Sequence, residues 1–167
     1  MRTEAEKLIE EFQMIPHTEG GYYKETYRSE ESFKNSCLPG RYSGERCFAT
    51  SIYYLLKSAQ VSHFHKIKSD EIWHFYLGSP IILHCLNESV GYNKIVIGNN
   101  VLGGEVPQYI IRKGIWFAAE VMDENSFSLV GCTVSPGFDY HDFTLADRND
   151  LINLFPEHRE LVERFTK

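Results

Sequence analysis

The side chains of this 167-residue chain best suited to chemistry are histidines and a carboxylate that fall between positions 63 and 74. His63 and His65 are two residues apart, so both imidazoles point to the same face of a strand. Glu71 follows on the next strand-like run. His74 comes three residues later and lies on the opposite face of an unbroken strand, although a bulge could bring both inward. Such a group can hold a transition metal or transfer protons.

Two kinds of chemistry are compatible with these residues. In the metal-free reading, His65 or His74 removes a proton from a substrate, and Glu71 or Asp70 orients the imidazole. A tyrosine, Tyr53 or Tyr76, then supplies the acid. The sequence has no P-loop, no GxGxxG, no HExxH and no GxSxG motif that would favour another mechanism.

In the alternative reading, His63, His65 and Glu71 are the ligands of a divalent transition metal. A catalytic metal site usually needs three well-placed ligands, and a structural one needs four. A third possibility is a non-catalytic barrel whose aromatic side chains hold a sugar, a nucleotide or another metabolite.

Composition and charge limit the class of protein. The formal net charge is −6, from 17 basic and 23 acidic side chains, which disfavours a nucleic-acid binder because the long-range field has the wrong sign. No apolar run is long enough to span a membrane. The acidic start of the chain does not resemble a signal peptide, so we expect a cytoplasmic protein with reduced cysteines.

The elements that must position the site are mostly strands. Apolar spacing and a Thr3–Glu6 capping box predict an N-terminal helix over residues 1–15. Residues 30–46 are polar and predict a long exposed loop or a lid. Short strand-like runs separated by turn residues predict an all-β barrel or sandwich over residues 20–143. Residues 144–167 predict a helical segment, which makes residues 1–167 a single domain.

The stretch SHFHKIKSDEIWHFYLG, residues 62–78, resembles the first cupin motif. The second motif, at RKGIWFAAEV, departs from the pattern. Arg112 replaces its proline, and Trp116 and Phe117 stand where its histidine ligand would be. Nearly the whole chain is similar to the cupin-5 family, a domain of unknown function, through the segments PHTEGGYYKETYRS, TSIYYLL, GEVPQYIIRKGIW and LVGCTVSPGFDYHDFTLADR.

The resemblance implies a double-stranded β-helix, the cupin or jelly-roll barrel, close to the RmlC-like sugar-nucleotide epimerase branch and usually dimeric. It leaves the reaction open, so an isomerase, epimerase or lyase acting on a sugar- or nucleotide-like metabolite is an expectation by analogy. A homodimer is also expected from the polar 30–46 segment and the aromatic N-terminal strand. The expected partners are a small-molecule ligand and a second copy, with no nucleic acid and no membrane.

The predicted site lies in the interior of the barrel. His65, Glu71 and His74 are expected near the barrel interior as catalytic residues, with Tyr53, Gln108 and Trp116 lining it. Asp70 ranks below Glu71 because it lies at a turn, and His63 ranks next because it departs from the family pattern. Glu19 matches the family's N-terminal turn and either caps that turn or enters the pocket. The missing histidine of the second motif favours a site without a cofactor, with a divalent transition metal as the alternative.

Overall fold

The computed structural model describes residues 2–167, which form two facing antiparallel β-sheets with helices at both ends of the chain. The α-helices are α1 (Glu4–Glu11), α2 (Arg148–Leu154) and α3 (Arg159–Arg164). The strands, in chain order, are β1 (Ile15–Pro16), β2 (Tyr22–Arg28), β3 (Ser32–Phe33), β4 (Arg46–Cys47), β5 (Thr50–Lys57), β6 (Val61–Ile67), β7 (Asp70–Gly78), β8 (Ile81–Asn87), β9 (Gly91–Ile97), β10 (Gln108–Ile111), β11 (Trp116–Val121), β12 (Phe127–Ser135) and β13 (Phe143–Leu145).

The sheets have a jelly-roll arrangement, which confirms the predicted all-β fold class. The larger sheet has the order β1-β2-β5-β12-β7-β10, and the smaller one has the order β13-β6-β11-β8-β9. From β5 to β7 and from β10 to β13 the chain moves to the other sheet at each connection. Most neighbouring strands within these two sheets are therefore distant in sequence, and the consecutive pairs are β1–β2 and β8–β9. The main core lies between the sheets and includes Tyr54, Trp73, Leu83, Phe117 and Val130, all buried.

Two further apolar clusters fix the helices on the outside of the barrel. The N-terminal helix has the predicted capping box between Thr3 and Glu6, and it ends at Glu11, earlier than predicted. Its buried Ala5 belongs to the cluster around Leu55 and Leu129. The C-terminal helices pack on the smaller sheet around Phe64, Trp116 and Phe165, among others. No helix of the described residues has the length and apolar character needed to cross a membrane.

The polar segment 30–46 is more ordered than a loop. Residues Ser32–Phe33 pair with Arg46–Cys47 as a short antiparallel ladder. The Arg46 guanidinium donates two hydrogen bonds of 2.7 Å to the Asp142 carboxylate, and both side chains are buried. This bidentate ion pair ties the segment to the region that precedes β13. The segment is mostly exposed, as predicted, but it contains a short ladder and a buried ion pair in addition to loop.

A β-bulge in β6 changes which of its side chains point inward. Phe117 pairs with His65, but Ala119 pairs with Ser62, so three steps along β6 oppose two steps along β11. Ser62 and His65 are both buried on the cavity side, while Phe64 between them packs outward against Phe165. The prediction that His63 and His65 share one face relied on strict alternation, which this bulge interrupts, and His63 does not line the cavity.

Candidate functional site

A cavity of about 210 Å³ lies between the two sheets. Its polar floor is formed by His17, Glu19, Tyr54, His65 and Glu71. Its walls are largely apolar and aromatic, and its rim is charged. The walls contain Tyr23, Thr50, Ile52, Ile67, Cys132, Val134, Phe138, Tyr140 and Phe143, and the rim contains Glu25, Arg28 and Asp139.

The turn between β1 and β2 delivers Glu19 to this floor. Gly20 has φ +117°, and a Cβ there would lie 2.1 Å from the carbonyl oxygen of Val61, so only glycine allows the turn to approach β6 so closely. Gly21 has φ +69° and lies against the Tyr54 ring. The Tyr54 hydroxyl donates a 2.8 Å hydrogen bond to the Gly20 carbonyl. The double glycine thus positions the carboxylate that precedes it.

Glu19 is a buried carboxylate that accepts a hydrogen bond from Ser62 and lies at ion-pair distance from two histidines, while its own amide donates to His17 Nδ1 at 3.4 Å. Ser62 Oγ donates to its Oε1 at 3.0 Å, and its Oε2 lies 3.0 Å from His65 Nε2 and 3.3 Å from His17 Nδ1. Burial alone raises the pKa of Glu19, but the two histidines and the Ser62 hydroxyl outweigh it and lower the pKa to about 2. Glu19 is therefore ionised at neutral pH and orients both imidazoles.

Both ring nitrogens of His65 face acceptors. Its Nδ1 lies 2.7 Å from the His63 carbonyl oxygen, and its Nε2 lies 3.0 Å from the Glu19 carboxylate. A neutral imidazole carries one N–H and can donate to only one of them. Burial, the largest influence, lowers the pKa of His65, which favours this neutral ring, so one of the two contacts lacks a donor.

Glu71 is the second buried carboxyl group of the floor. Its side chain enters from β7, and Trp73 Nε1 donates a 3.0 Å hydrogen bond to its Oε1. Burial, followed by the negative charge of Glu19, raises the pKa of Glu71 from 4.5 to about 8. At neutral pH Glu71 is mostly a carboxylic acid that can donate a proton, whereas Glu19 is ionised in the same cavity.

His17 lies between the two carboxyl groups and a set of aromatic rings. Its ring makes edge contacts with Tyr23 and Phe143, at centroid distances of 4.9 and 6.1 Å, and stacks on Tyr140 at 6.3 Å. Burial lowers its pKa, but the charges of Glu19 and Glu71 and the hydrogen bond with Glu19 outweigh burial and raise it. Within residues 2–167 no group hydrogen-bonds to its Nε2, so this atom is free to meet a ligand.

The structure brings together three of the predicted site residues, Glu19, His65 and Glu71. Glu19 was expected either to cap its turn or to enter the pocket, and its side chain enters the pocket. Glu19 also contributes to the turn through its backbone, because its carbonyl oxygen accepts from the His63 amide at 2.8 Å and contacts His63 Nδ1 at 2.6 Å. The His63 ring is therefore directed at the turn and does not line the cavity.

The expected positions of His74, Gln108 and Tyr53 are corrected. The β7 strand alternates without a bulge between Glu71 and His74, so His74 lies on the outer face of the larger sheet, in register with Gln108. Gln108 is exposed. Tyr53 packs outward against Phe12, with ring centroids 5.0 Å apart, because its neighbour Tyr54 takes the inward position.

Trp116 and Asp70 also lie outside the cavity. Trp116 packs in the cluster beneath the C-terminal helices, with the Lys66 ammonium 4.3 Å above its ring. Asp70 accepts from the Arg112 guanidinium at 2.7 Å and from the Lys113 amide at 2.9 Å. Its carboxylate holds the turn between β10 and β11 and contacts no imidazole of the cavity, where Glu19 is the carboxylate beside His17 and His65.

The residues proposed as metal ligands do not fit a metal ion. The His63 ring faces a backbone carbonyl, both nitrogens of His65 face acceptors, and Glu71 Oε1 accepts from Trp73. In the described part of the chain, no three histidine, cysteine or acidic side chains are grouped as a metal would require. We therefore derive no step through a metal.

Two residues of the floor, His17 and Tyr54, are absent from the predicted site. For His17 the signal was its place beside Glu19 in the family-like PHTEGG segment, which the sequence alone reads as a structural turn. For Tyr54, the sequence does not show which of the adjacent residues Tyr53 and Tyr54 points inward, because no local pattern tells which face of β5 meets the other sheet.

The match of residues 6–146 to a family described as Cupin_5, Cupin superfamily (DUF985), decides the family. This chain belongs to the Cupin_5 family. It is 29% identical over 164 residues to the uncharacterized yeast protein YML079W of Saccharomyces cerevisiae, covering 87% of this chain and 76% of the yeast protein.

Solved structures agree with this assignment. Protein SO0799 from Shewanella oneidensis superposes with a TM-score of 0.87 at 33% identity, covering 100% of this chain and 99% of the other. A hypothetical protein from Leishmania major gives a TM-score of 0.88 at 33% identity, covering 98% and 99%. Oxalate decarboxylase from Bacillus subtilis, at 13% identity and a TM-score of 0.55, covers 90% of this chain and 36% of its own and shares the fold alone.

Proposed function

We propose that the cavity of this Cupin_5 protein binds a small polar metabolite, sugar- or nucleotide-like, and transfers protons on it without a metal, as an isomerase, epimerase or lyase. One observation carries the proposal. Two buried carboxyl groups in one cavity have pKa values displaced in opposite directions, Glu19 to about 2 and Glu71 to about 8. Such a separation is typical of sites that assign acid and base roles to neighbouring groups.

The proposed roles follow from the atoms that remain available. Neutral His17, oriented through Nδ1 by Glu19, removes a proton through Nε2 from a carbon next to a carbonyl group. The carboxylic acid of Glu71 donates its proton to the carbonyl oxygen, which gives an enol. Return of a proton to another face or another carbon completes an epimerisation or isomerisation, and loss of a leaving group completes an elimination. His65 and Glu19 act by positioning.

The walls favour a ligand with a flat or ring-shaped surface. Tyr23, Phe138, Tyr140 and Phe143 present aromatic faces and edges to the cavity, and such surfaces pack against sugar rings and bases. The rim carries both charges, with Arg28 bound to Glu25 at 2.7 Å. A neutral polar group is therefore better matched to the rim than a strongly charged one.

A non-catalytic binding barrel is the second candidate. It is favoured by the completeness of the Glu19 network, in which both oxygens accept and both nitrogens of His65 are engaged. Such a network can serve only to hold the turn and β6 together. Turnover distinguishes the two candidates, because a binding module retains its ligand unchanged.

The experiment begins with small molecules retained by natively purified protein, identified by mass spectrometry, with metal analysis on the same sample. The ligand is then incubated with protein in D₂O, and the gain of deuterium at carbon is followed by NMR. We expect exchange in the wild type and its loss in Glu71→Gln and His17→Asn, with Glu120→Gln, outside the cavity, as the control. Binding without exchange in the wild type favours the binding module, and near-stoichiometric metal contradicts the metal-free mechanism.

We also propose that the protein is a homodimer, formed through the outer face of the larger sheet. Tyr76 and Ile110 are 45% and 38% exposed on this face, and apolar side chains on a sheet face favour a second copy. Light scattering is expected to show a dimer that Ile110→Glu converts to monomer. A cytoplasmic location stays a prediction, supported by four cysteines that are all unpaired.

A further inference from the structure

A second cavity, of about 330 Å³, lies on the outside of the barrel wall. Four cationic side chains line it, and we call it the basic groove. Among the described residues its acidic lining is limited to Asp142. The cations of the basic groove are Arg41, Lys66, Lys68 and Lys113.

Strands β6 and β13 form the wall that separates the groove from the cavity. Ile67 is buried and faces inward, so Lys66 and Lys68 on either side of it face outward. Thr144 is in register with Lys66 on the neighbouring strand, so its hydroxyl group lies on the same outer face. The preceding residue, Phe143, lines the cavity on the other side. The two sites therefore share a wall and Ile67, but the charged side chains of the groove do not line the cavity.

Hydrogen bonds bring the other two cations to this wall. Arg41 Nε donates to the Lys68 carbonyl at 2.8 Å, and the Arg41 guanidinium lies 4.7 Å from the centroid of the Tyr42 ring. The Gly114 amide donates to the Ile67 carbonyl at 2.9 Å, which places the Lys113–Gly114 turn at the groove. The cations thus come from the end of β6 and from two further segments that are hydrogen-bonded to it.

The groove has an excess of positive charge. The Asp142 carboxylate is held at 2.7 Å by both Arg46 nitrogens and is 3.5 Å from Lys68 Nζ. Within residues 2–167, Arg41, Lys66 and Lys113 make no ion pair with a carboxylate, although the chain carries a formal charge of −6. Like charges held together repel one another, and an anion bound among them removes that repulsion.

We propose that the basic groove is a binding site for the phosphate group of a small molecule. Arginine and lysine are the side chains that recognise phosphate, and the Thr144 hydroxyl adds a neutral donor. A nucleic acid is disfavoured, because the rest of this acidic chain repels a long polyanion. The proposal does not depend on the function of the cavity.

The two tryptophans of the chain allow a direct test. Trp116 lies beneath the Lys66 ammonium, whereas Trp73 is buried in the main core. Inorganic phosphate, inorganic pyrophosphate and ribose 5-phosphate are titrated into the protein at constant ionic strength while tryptophan emission is recorded. We expect a saturable change that Trp116→Phe abolishes. Equal affinities for phosphate and ribose 5-phosphate identify the free anion as sufficient, and tighter ribose 5-phosphate binding identifies a phosphorylated metabolite.

Calorimetry provides a readout that does not depend on Trp116. Lys66→Gln is expected to weaken pyrophosphate binding about tenfold, the size of one charge-assisted contact. Lys94→Gln removes the same charge from exposed β9 and is expected to leave the affinity unchanged. Equal losses in both variants overturn the proposal. So does a response that potassium chloride reproduces at matched ionic strength, or binding of an RNA oligonucleotide without binding of pyrophosphate.

Discussion

Two buried histidine–glutamate clusters in this barrel have the same residue types and opposite surroundings. The first is the cavity floor, where His65 and His17 meet Glu19. The second, the outer cluster, lies between the smaller sheet and the C-terminal helix, where His84 Nε2 is 3.1 Å from Glu120 Oε1 and its Nδ1 is 2.9 Å from the Tyr92 hydroxyl.

The outer cluster is complete with a neutral imidazole. Tyr92 donates its O–H to His84 Nδ1, and His84 Nε2–H donates to Glu120, so each polar atom has a partner of the right kind. Burial lowers the pKa of His84 and favours this neutral state. Arg164 pairs with the other oxygen of Glu120 and connects α3 to the sheet. The cluster holds the C-terminal segment in place.

The cavity floor cannot be completed in this way. Both nitrogens of His65 face acceptors, and Glu71 retains a proton that its ordinary pKa would release. The His17 Nε2 atom also opens on the cavity. The two clusters therefore have the same residue types and differ in whether polar atoms remain available next to an open volume.

Removal of the central carboxylate is expected to have the largest effect. Glu19→Ala leaves the buried His65, His17 and Ser62 without their acceptor, and we expect a loss of about 3–5 kcal/mol in the free energy of unfolding. Glu120→Ala removes the acceptor of His84, but the cluster borders exposed Arg164, so water can take the place of the carboxylate. We therefore expect a loss of about 1 kcal/mol in the free energy of unfolding. Urea denaturation of both variants measures the difference. Equal losses contradict the distinction between the clusters.

The pH dependence of stability separates the two cavity carboxyl groups. The unfolded chain releases the Glu71 proton near 4.5, whereas the folded protein keeps it to about 8. Unfolding between these pH values therefore releases a proton, and the free energy of unfolding falls as pH rises, by an amount on the order of a few kcal/mol. Glu71→Gln is expected to remove this fall. Glu19 acts in the opposite direction, and its stabilisation is lost as pH falls from about 4.5 to 2.

Denaturation of wild type and Glu71→Gln between pH 5 and 9 tests this expectation, with Glu120→Gln as the matched control outside the cavity. Parallel curves for wild type and Glu71→Gln would show that Glu71 is ionised in the folded protein.

The parts of the fold and of the site that follow a regular helix or strand periodicity were predictable from the sequence. The strand runs, both terminal helical segments and the inward positions of His65 and Glu71 follow from local patterns. Alternation failed where a bulge in β6 separated His63 from His65. It could not choose Tyr54 over Tyr53, because that choice depends on which face of β5 meets the other sheet.

The contact of Glu19 with β6 could not be predicted from spacing. It joins residues 43 positions apart in the case of Ser62, and it depends on a turn geometry that two adjacent glycines allow. The resemblance to the family singled out Glu19, but only the structure shows that its carboxylate contacts both His65 and His17.

The pH–rate profile of any reaction found for the cavity follows from the same assignment. The mechanism requires neutral His17 and protonated Glu71. Activity is therefore expected to decrease at pH values below the raised pKa of His17, where the ring is protonated, and at pH values above about 8, where Glu71 is ionised. Glu71→Gln is expected to lose turnover at every pH. Activity that rises steadily beyond pH 9 would contradict the role of Glu71 as the acid.

The smallest effect is expected at His74. His74→Asn changes the outer face of the larger sheet, so ligand affinity in the cavity is expected to stay within about twofold of the wild type, whereas His65→Asn weakens it about tenfold or more. Calorimetry with the ligand identified by mass spectrometry measures both. A larger loss of affinity for His74→Asn would contradict its position outside the cavity.

The protonation state of Glu71 tests the central claim most directly. Infrared difference spectra of the folded protein between pH 5 and 10, recorded for wild type and Glu71→Gln, report protonated carboxyl groups. In the wild type we expect a protonated carboxyl band at neutral pH that disappears with a midpoint near 8, and we expect no such band in Glu71→Gln. If wild type and variant give the same spectra at pH 7, Glu71 is ionised, and the assignment of acid and base roles in the cavity is wrong.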